Sequence, residues 1–292
     1  MEQMALVIFS ICIQAAIGIM VFVAIAKLLN KDSIFKKALI ISAGLAIVGL
    51  LASLMHLGRP LSALNSLARF SSSWLSREIW FTGVFTGLAV LVALLVFFKP
   101  STKGAINALI PIAAVIGLAD VFVMASIYYF TSVKAWQYSS VFVEFYATAL
   151  SMGAVLFMAL NGKKAENMRR AVTLTVGVAV ILQVVAMVLY YIQLGTNESL
   201  AAQKSLSLLN SMGGAMAIKW LLILLGSGLL FFPLKKANMN ISAGQAATEI
   251  AAATEGSLIT STYIAGALLI IGQIVGRYLF YAVMVISTVG LS

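Results

Sequence analysis

The stretch "LMHLGRPLSALNSLARFSSSWLSRE", residues 54–78, gathers side chains that could move protons. It contains the only histidine of the protein, His56, and closes on an acid, Glu78, with Arg59, Arg69 and Arg77 between them. A histidine with an unperturbed pKa of about 6.5 can take up and release a proton near neutral pH. A nearby carboxylate can pass that proton on to water. These residue types favour proton transfer to and from a bound group.

Further polar side chains interrupt long apolar runs, among them Asp120, Glu144, Gln183, Lys219 and Arg277. A charged side chain at the centre of a bilayer costs roughly 2.5–3.5 kcal/mol on insertion scales, so such residues often mark function. The structural alternative is that residues at a membrane edge, such as Arg59, Arg77, Glu144 and Lys219, reach toward water as anchors.

Each leading candidate also has a structural interpretation. Ser76 could cap the helix that follows, which would place Glu78 in a first turn favoured by the helix dipole. His56 stands before "GRP", where a glycine and a proline are typical of a helix end. Arg277 follows "GQIVG", a spacing of small residues typical of close helix packing, and would need a partner such as Asp120, Glu78 or a ligand oxygen.

The composition identifies the elements that must position these residues. Of 292 residues, 62% are hydrophobic and 10% are charged, and the mean hydropathy is +1.06. A soluble domain carries about 25% charged residues. The apolar runs are long enough to cross about 30 Å of hydrocarbon as helices, and the alternation of a barrel strand is absent. The sequence therefore predicts an all-α integral membrane protein with the lipid bilayer, and no nucleic acid, as its partner.

We expect one membrane domain over residues 1–292, which could be two four-helix bundles. No internal repeat supports that division. Its eight predicted transmembrane helices cover about 4–27, 38–57, 78–98, 105–130, 141–160, 171–193, 214–232 and 258–290. We expect the polar loop 233–257 to be a linker or a short surface helix.

Loop charges predict the orientation. Cytoplasmic loops carry an excess of Lys and Arg, and short loops set the direction of insertion. One set of connections holds most of the basic residues, namely Lys27, Lys31, Lys36, Lys37, Lys99, Lys103, Lys163, Lys164, Arg169, Arg170, Lys235 and Lys236. The other set holds Arg59, Arg69, Arg77, Lys134 and Lys204. The first set is predicted to be cytoplasmic, so both termini face outward, into the periplasm of a prokaryotic cell with this protein in its inner membrane.

This orientation places the intramembrane polar residues on one side. The outward halves of the predicted spans hold His56, Glu78, Asp120, Glu144, Gln183, Lys219 and Arg277. A transporter needs a site near the midplane with access from both faces. A one-sided polar cluster better suits a site where a molecule from the bilayer meets water or a partner protein.

The sequence also limits the redox groups this protein can hold. One histidine cannot supply the two axial ligands that membrane b-type haems usually have, and Cys12 is the only cysteine. No cluster suits zinc or an iron–sulfur centre, and no phosphate-binding glycine pattern follows a strand. Redox chemistry would therefore use a bound small molecule such as a quinol, which releases two electrons and two protons when oxidised.

Two motifs resemble the membrane anchor subunit of the dimethyl sulfoxide reductase family. The stretch "LASLMHLGRPLSALNSLARFSSSWLSREI", residues 51–79, is similar to the family pattern "HLG.P..A.NSL.R...S.LS.EI" between the second and third spans. The stretch "GQIVGRYLFY", residues 272–281, is similar to "GE.IGR..FY" in the last span. The first motif has about eleven matching positions at fixed spacing, whereas the middle of the sequence resembles the family weakly.

The resemblance implies an anchor that binds and oxidises menaquinol. It also implies two partners, an iron–sulfur electron-transfer subunit and a molybdopterin catalytic subunit, which hold the metal cofactors. The histidine of "HLG" and the acid of "S.EI" correspond to His56 and Glu78, the expected catalytic pair. The expected quinol-binding set is His56, Arg69, Glu78, Asp120, Arg277 and Tyr281. Gln273 replaces the acid of the family's "GE.IGR", so no proton role is expected there.

Three alternatives remain open on the sequence. The first is another eight-span quinone-binding anchor, of the polysulfide or nitrite reductase type. The second is a secondary transporter. The third is a pure tether, in which the polar cluster only docks a partner subunit. The terminal electron acceptor does not follow from the resemblance.

Overall fold

A computed structural model describes residues 2–55, 67–242 and 247–285 of the protein. Throughout these ranges the regular structure is helical, without a strand. The α-helices are α1 Glu2–Leu29, α2 Lys36–Met55, α3 Trp74–Phe98, α4 Lys103–Tyr129, α5 Ser140–Asn161, α6 Arg169–Gly195, α7 Leu200–Ser211, α8 Gly213–Ser242 and α9 Ala247–Ala282. Three 3₁₀ turns join some of them, at Leu67–Arg69, Lys134–Trp136 and Gly162–Met168. The predictions for His56 and Arg59 lie outside the described residues.

In the described ranges, seven segments are long and apolar enough to cross a membrane. One of them, Ser140–Gly195, runs over 56 residues and contains both α5 and α6. The others follow α1 to α4, α8 and α9, the last two as Gly213–Phe231 and Thr260–Ala282. The predicted all-helical, multi-pass membrane protein is therefore confirmed.

Pairwise packing groups the long helices into two rings. Helices α1 to α4 pack in sequence order, and α4 returns to α1. Helices α5, α6, α8 and α9 close a second ring, because α9 packs on α5. The rings meet chiefly where α1 crosses α5. Most of α1 is buried, as expected for a helix that is apolar on all sides.

The α1–α5 crossing depends on two glycines. A Cβ added at Gly18 would collide with the carbonyl oxygen of Ala149 and lie 2.8 Å from the Cα of Gly153. A Cβ at Gly153 would likewise collide with the backbone of Gly18. Small residues let transmembrane helices approach backbone to backbone, so this pair sets the spacing between the two rings.

Several local predictions differ from the structure. The segment 233–257, expected to be a linker or a short surface helix, belongs largely to two long helices, because α8 extends to Ser242 and α9 begins at Ala247. The alanine-rich sequence there favours helix over linker. The last helix ends at Ala282 instead of near 290, and the short helix α7 was not predicted.

The N-cap of α3 also differs. Ser73, not Ser76, caps this helix by accepting a hydrogen bond from the backbone N–H of Ser76 at 3.4 Å. Ser76 itself is buried within the first turn. Glu78 therefore lies one residue beyond the first turn, deeper in the helix than the sequence suggested.

Candidate functional site

Glu78 is a buried acid near the start of α3. Its side chain is 8% exposed, and among the described residues nothing hydrogen-bonds its Oε1 atom. A buried carboxyl oxygen without a partner is costly, so such groups need an explanation in function or in an unseen partner. The sequence predicted this residue as part of the catalytic pair, and the structure leaves its Oε1 without a donor among the described residues.

Asp120 lies next to Glu78 on the neighbouring helix α4. It is fully buried, and both of its carboxylate oxygens accept from the Thr82 hydroxyl at 3.0 Å. Thr82 is one helical turn from Glu78 and shares its face of α3. The two carboxyl groups are close enough to interact electrostatically. The structure thus brings together two acids that the sequence predicted as one site.

An aromatic cluster adjoins the two acids. The hydroxyls of Tyr128 and Tyr281 are 2.9 Å apart and share a hydrogen bond across α4 and α9. The indole N–H of Trp136 donates to the carbonyl of Phe280 at 2.8 Å. Both tyrosine hydroxyls are within electrostatic range of Glu78. Tyr281, predicted as a quinol-binding residue, is therefore part of the same buried region.

Arg277 is buried in α9 and bonds a residue that the sequence did not suggest. Its Nη2 donates to Oε1 of Gln14 at 2.7 Å, and the guanidinium carbon lies 3.7 Å from the centre of the Phe145 ring. Neither of the two acids expected as its partner, Asp120 and Glu78, bonds Arg277 in the described part of the protein: Asp120 accepts from Thr82, and Oε1 of Glu78 has no partner. An amide oxygen and an aromatic face stabilise the cation instead. Its Nε has no hydrogen-bond acceptor among the described residues.

Two arginines of the stretch 54–78, Arg69 and Arg77, lie outside the buried region that holds Arg277. Arg69 is exposed in the 3₁₀ turn Leu67–Arg69, and its side chain has no hydrogen bond or ion pair with any described residue. Arg77 donates to the carbonyls of Phe70 and Ser71, at 3.0 and 2.7 Å, and lies over the Trp74 ring. Arg77 therefore fastens the preceding turn to α3.

A second polar network, which the sequence did not predict as a site, lies in the ring of α5, α6, α8 and α9. Lys219 Nζ is 3.3 Å from Oε1 of Glu144 in a largely buried ion pair. The amide nitrogen of Gln183 donates to Oε2 of Glu144 at 2.9 Å and to Oε1 of Gln273 at 3.1 Å. The carboxylate thus has a partner at each oxygen.

Gln273 completes this network from α9. Its amide nitrogen donates to Gln183 at 3.0 Å and to the Ser151 hydroxyl at 3.2 Å, and its oxygen accepts from Thr148 at 3.1 Å. An acid at position 273 would place a second negative charge near Glu144, with Gln183 bonded to both. The neutral amide of Gln273 avoids this repulsion.

Gly276 and Gly272 explain how Lys219 reaches Glu144. A Cβ at Gly276 would lie 2.8 Å from the Lys219 Cε, and one at Gly272 would lie 2.7 Å from Ile223. The predicted tight packing at "GQIVG" is therefore confirmed, and it occurs against α8.

The sequence did carry a signal for the network around Glu144, because its members occupy the same predicted half of four different spans. The sequence does not show which of these residues bond each other, because that depends on which helices are neighbours.

No metal centre is evident in residues 2–55, 67–242 and 247–285, where no three His, Cys, Asp or Glu side chains come together. The described site is instead made of buried acids, amides, tyrosine hydroxyls and one guanidinium. Such groups can bind an uncharged polar molecule and can accept or donate protons.

Comparisons with known proteins agree with the two motifs. The family model for the DMSO reductase anchor subunit (DmsC) matches residues 1–283. The protein is 31% identical over 162 residues to a component of the anaerobic dimethyl sulfoxide reductase of Haemophilus influenzae, an alignment that covers 54% of this sequence and 58% of that relative. It is 31% identical over 166 residues to the anaerobic dimethyl sulfoxide reductase chain YnfH of Escherichia coli, covering 54% and 57%.

A longer alignment extends the similarity. Another Escherichia coli relative, a component of the anaerobic dimethyl sulfoxide reductase, is 26% identical over 249 residues, which covers 84% of this sequence and 79% of that relative. The two relatives at 31% identity are matched over little more than half of their length. Because the family model matches nearly the whole sequence, the protein belongs to the family of DMSO reductase anchor subunits.

Proposed function

We propose that this protein is the quinol-oxidising anchor of a membrane-bound reductase, with its reaction site around Glu78. The observation that carries the proposal is the buried Glu78 carboxyl, whose Oε1 has no partner among the described residues and which adjoins Asp120 and two tyrosine hydroxyls. The match to the DMSO reductase anchor family favours this proposal over an anchor of the polysulfide or nitrite reductase type. No described feature favours the transporter.

The proposed topology has eight spans with both termini in the periplasm. Ser140–Gly195 would cross twice, since 56 residues of helix far exceed the about 20 that one crossing needs. The break between α5 and α6 contains Lys163 and Lys164, and α6 begins with Arg169, which suits a cytoplasmic turn. Glu78, Asp120 and Arg277 then belong to the outer half of the inner membrane.

The proposed reaction oxidises menaquinol to menaquinone with release of two protons and two electrons. His56 accepts a hydroxyl proton, and Glu78 takes protons onward to the periplasm. Asp120 and Tyr281 surround the head group, while Arg69 and Arg277 hold the second oxygen or orient the acids. Of these, Arg277 is already fixed by Gln14, which keeps its guanidinium in one position.

The proposed partners take the electrons away. An iron–sulfur subunit would dock over the periplasmic loops and pass electrons to a molybdopterin catalytic subunit, so this protein needs neither haem nor metal of its own. Its part is to bind quinol, to orient it and to accept its protons. The pure tether remains the competing proposal, and it predicts no quinol-dependent effect of a change at Glu78.

The test replaces one atom of Glu78. In the assembled complex, Glu78→Gln keeps the volume of the side chain and removes its ability to accept a proton. We expect quinol-dependent turnover to fall at least tenfold, with unchanged turnover when electrons come from a soluble dye. Glu198→Gln, an exposed acid in the loop between α6 and α7, is the matched control. The companion change His56→Leu should give the same pattern.

Dye-dependent turnover reports the partner subunits alone, so it separates loss of assembly from loss of quinol oxidation. Undiminished quinol turnover in both Glu78→Gln and His56→Leu would overturn the proposal and leave the tether.

A further inference from the structure

A cleft with a polar floor opens between α5, α6, α8 and α9. It encloses about 60 Å³ of cavity space, within about 630 Å³ of empty space that includes its open mouth. The enclosed part has room for a few water-sized groups such as hydroxyls, so the rest of a head group would lie in the mouth. Its lining includes Glu144, Lys219 and Arg277, none of which touches Glu78 or Asp120 through a hydrogen bond.

The floor offers both hydrogen-bond donors and an acceptor. Lys219 and Arg277 are each 4% exposed, and Glu144 is the carboxylate that the lysine neutralises. The Nε of Arg277 is buried and has no acceptor among the described residues. A buried guanidinium nitrogen without a partner, on the wall of a cleft, is an available donor for a ligand oxygen.

The rim of the cleft is apolar and partly exposed. It is formed by Met187 and Tyr190 of α6 and Met216 of α8, which are all half-buried. Toward the other end of these helices, Phe231 of α8 packs against Gly177 of α6 and closes the gap. The cleft is therefore a side window between two helices, and its mouth faces the lipid of the surrounding bilayer.

Helix α7 covers the cleft at the end of the bundle. Leu209 lines the cleft, and the Ser205 hydroxyl donates to the carbonyl of Val283 at 2.8 Å, which ties α7 to the end of α9. With the end covered and the side open, a ligand with an apolar tail can place its head on the floor and leave the tail in lipid.

The donors and acceptors of the floor select the head group. A phosphodiester can only accept hydrogen bonds, so it would bring no donor to the Glu144 carboxylate. A neutral hydroxyl-bearing head can donate to Glu144 and accept from Arg277 or Lys219, so it satisfies both kinds of group. Membranes hold two sources of such heads, isoprenoid quinols and diacylglycerols.

We propose that this cleft is a second amphiphile-binding site, which takes the neutral hydroxyl-bearing head of a lipid-soluble molecule through Glu144, Lys219 and Arg277. It goes beyond the function proposed above, because Arg277 is the only residue that the two sites share and Glu78 and Asp120 take no part in it. The site is a binding site only, and no redox step is assigned to it.

The experiment labels the cleft directly. The assembled complex is placed in phosphatidylcholine nanodiscs with one of three photoreactive probes, an azido-naphthoquinol, a photoreactive diacylglycerol or a photoreactive phosphatidylmethanol, whose phosphodiester head carries no hydroxyl. Labelled peptides are then identified by mass spectrometry. We expect label at Met187, Tyr190 or Met216 from at least one neutral probe, with loss of label when the same unlabelled lipid is added. Comparison of the naphthoquinol and diacylglycerol probes shows which of the two lipid classes binds.

Variants make the result specific. Met216→Trp fills the mouth and should lower cleft labelling at least tenfold, and Met187→Trp should do the same from the opposite wall. Leu221→Trp, on an exposed face of α8 outside the cleft, should leave it unchanged. Glu78→Gln should also leave it unchanged, so failure of quinol oxidation at Glu78 and failure of the cleft are separate results.

Three outcomes would overturn the proposal. One is neutral-probe label spread along lipid-facing residues without competition. Another is cleft labelling by phosphatidylmethanol that exceeds labelling by both neutral probes. The last is unchanged cleft labelling in both Met216→Trp and Met187→Trp.

Discussion

At the scale of single residues, hydrogen bonds from neighbouring helices hold two of the acids in the described long helices. Thr82 satisfies Asp120, and Lys219 with Gln183 satisfies Glu144. Glu78 differs, because its Oε1 has no such partner in the described ranges. Asp120 and Glu144 are therefore held by bonds within the fold, whereas Oε1 of Glu78 is available to accept a hydrogen bond from a ligand.

The Thr82–Asp120 bond can be tested for its contribution to stability. Thr82→Val keeps the shape of the side chain and leaves the buried Asp120 without its donor, which should cost roughly 1–3 kcal/mol. Thermal unfolding of the complex in detergent would show the loss as a lower midpoint. Thr82→Ser retains the hydroxyl and should remain close to the parent. Equal midpoints for the valine and serine variants would show that the bond does not stabilise the fold.

The Glu144–Lys219 pair gives a second prediction. Lys219→Met removes one partner and leaves a mostly buried carboxylate, a change that costs about 3–5 kcal/mol in buried pairs. Adding Glu144→Gln should restore most of the stability, because no uncompensated charge then remains. Unfolding midpoints of the two single variants and the double variant test this coupling. If the double variant is no more stable than Lys219→Met, the pair is not coupled.

At the scale of helices, the close crossing of α1 and α5 is the most demanding contact. Gly153→Ala should disrupt it, because the new methyl would meet the backbone of Gly18. Gly44→Ala in α2 adds the same methyl where nothing lies within 4 Å. The first variant should give little folded protein by size-exclusion chromatography, whereas the second should match or exceed the parent, since alanine favours helix by about 1 kcal/mol. Similar yields from both would contradict this account of the crossing.

Helix positions were largely predictable from the sequence, because long apolar runs leave few alternatives to spanning helices. The helix neighbours were not, and the ion pair of Glu144 with Lys219 therefore went unpredicted even though both residues were identified. The N-cap moved from Ser76 to Ser73 because several serines in "SSSWLS" could serve equally well. Arg277 was expected to bond an acid or a ligand oxygen and bonds the amide oxygen of Gln14, since nothing in the sequence indicates that the first and last helices touch.

At the scale of the whole molecule, the proposed topology makes a prediction about two exposed acids. Cys12 is first replaced by serine, and a single cysteine is then placed at Glu198 or Glu166. In intact cells, a membrane-impermeant maleimide should label Glu198→Cys, in the predicted periplasmic loop, but not Glu166→Cys. Permeabilised cells, in which both should react, provide the control. The reverse pattern would invert the orientation and move Glu78 to the cytoplasmic side.

The bond between Arg277 and Gln14 joins positions separated by 263 residues. During synthesis, at about 5–20 residues per second, Gln14 therefore enters the bilayer on the order of tens of seconds before its partner is made. Until then the first helix presents a polar amide to lipid or to the insertion machinery. We infer that the buried core of this protein matures only when its last helix arrives, so shortened nascent chains should be substrates for quality control and not stable intermediates.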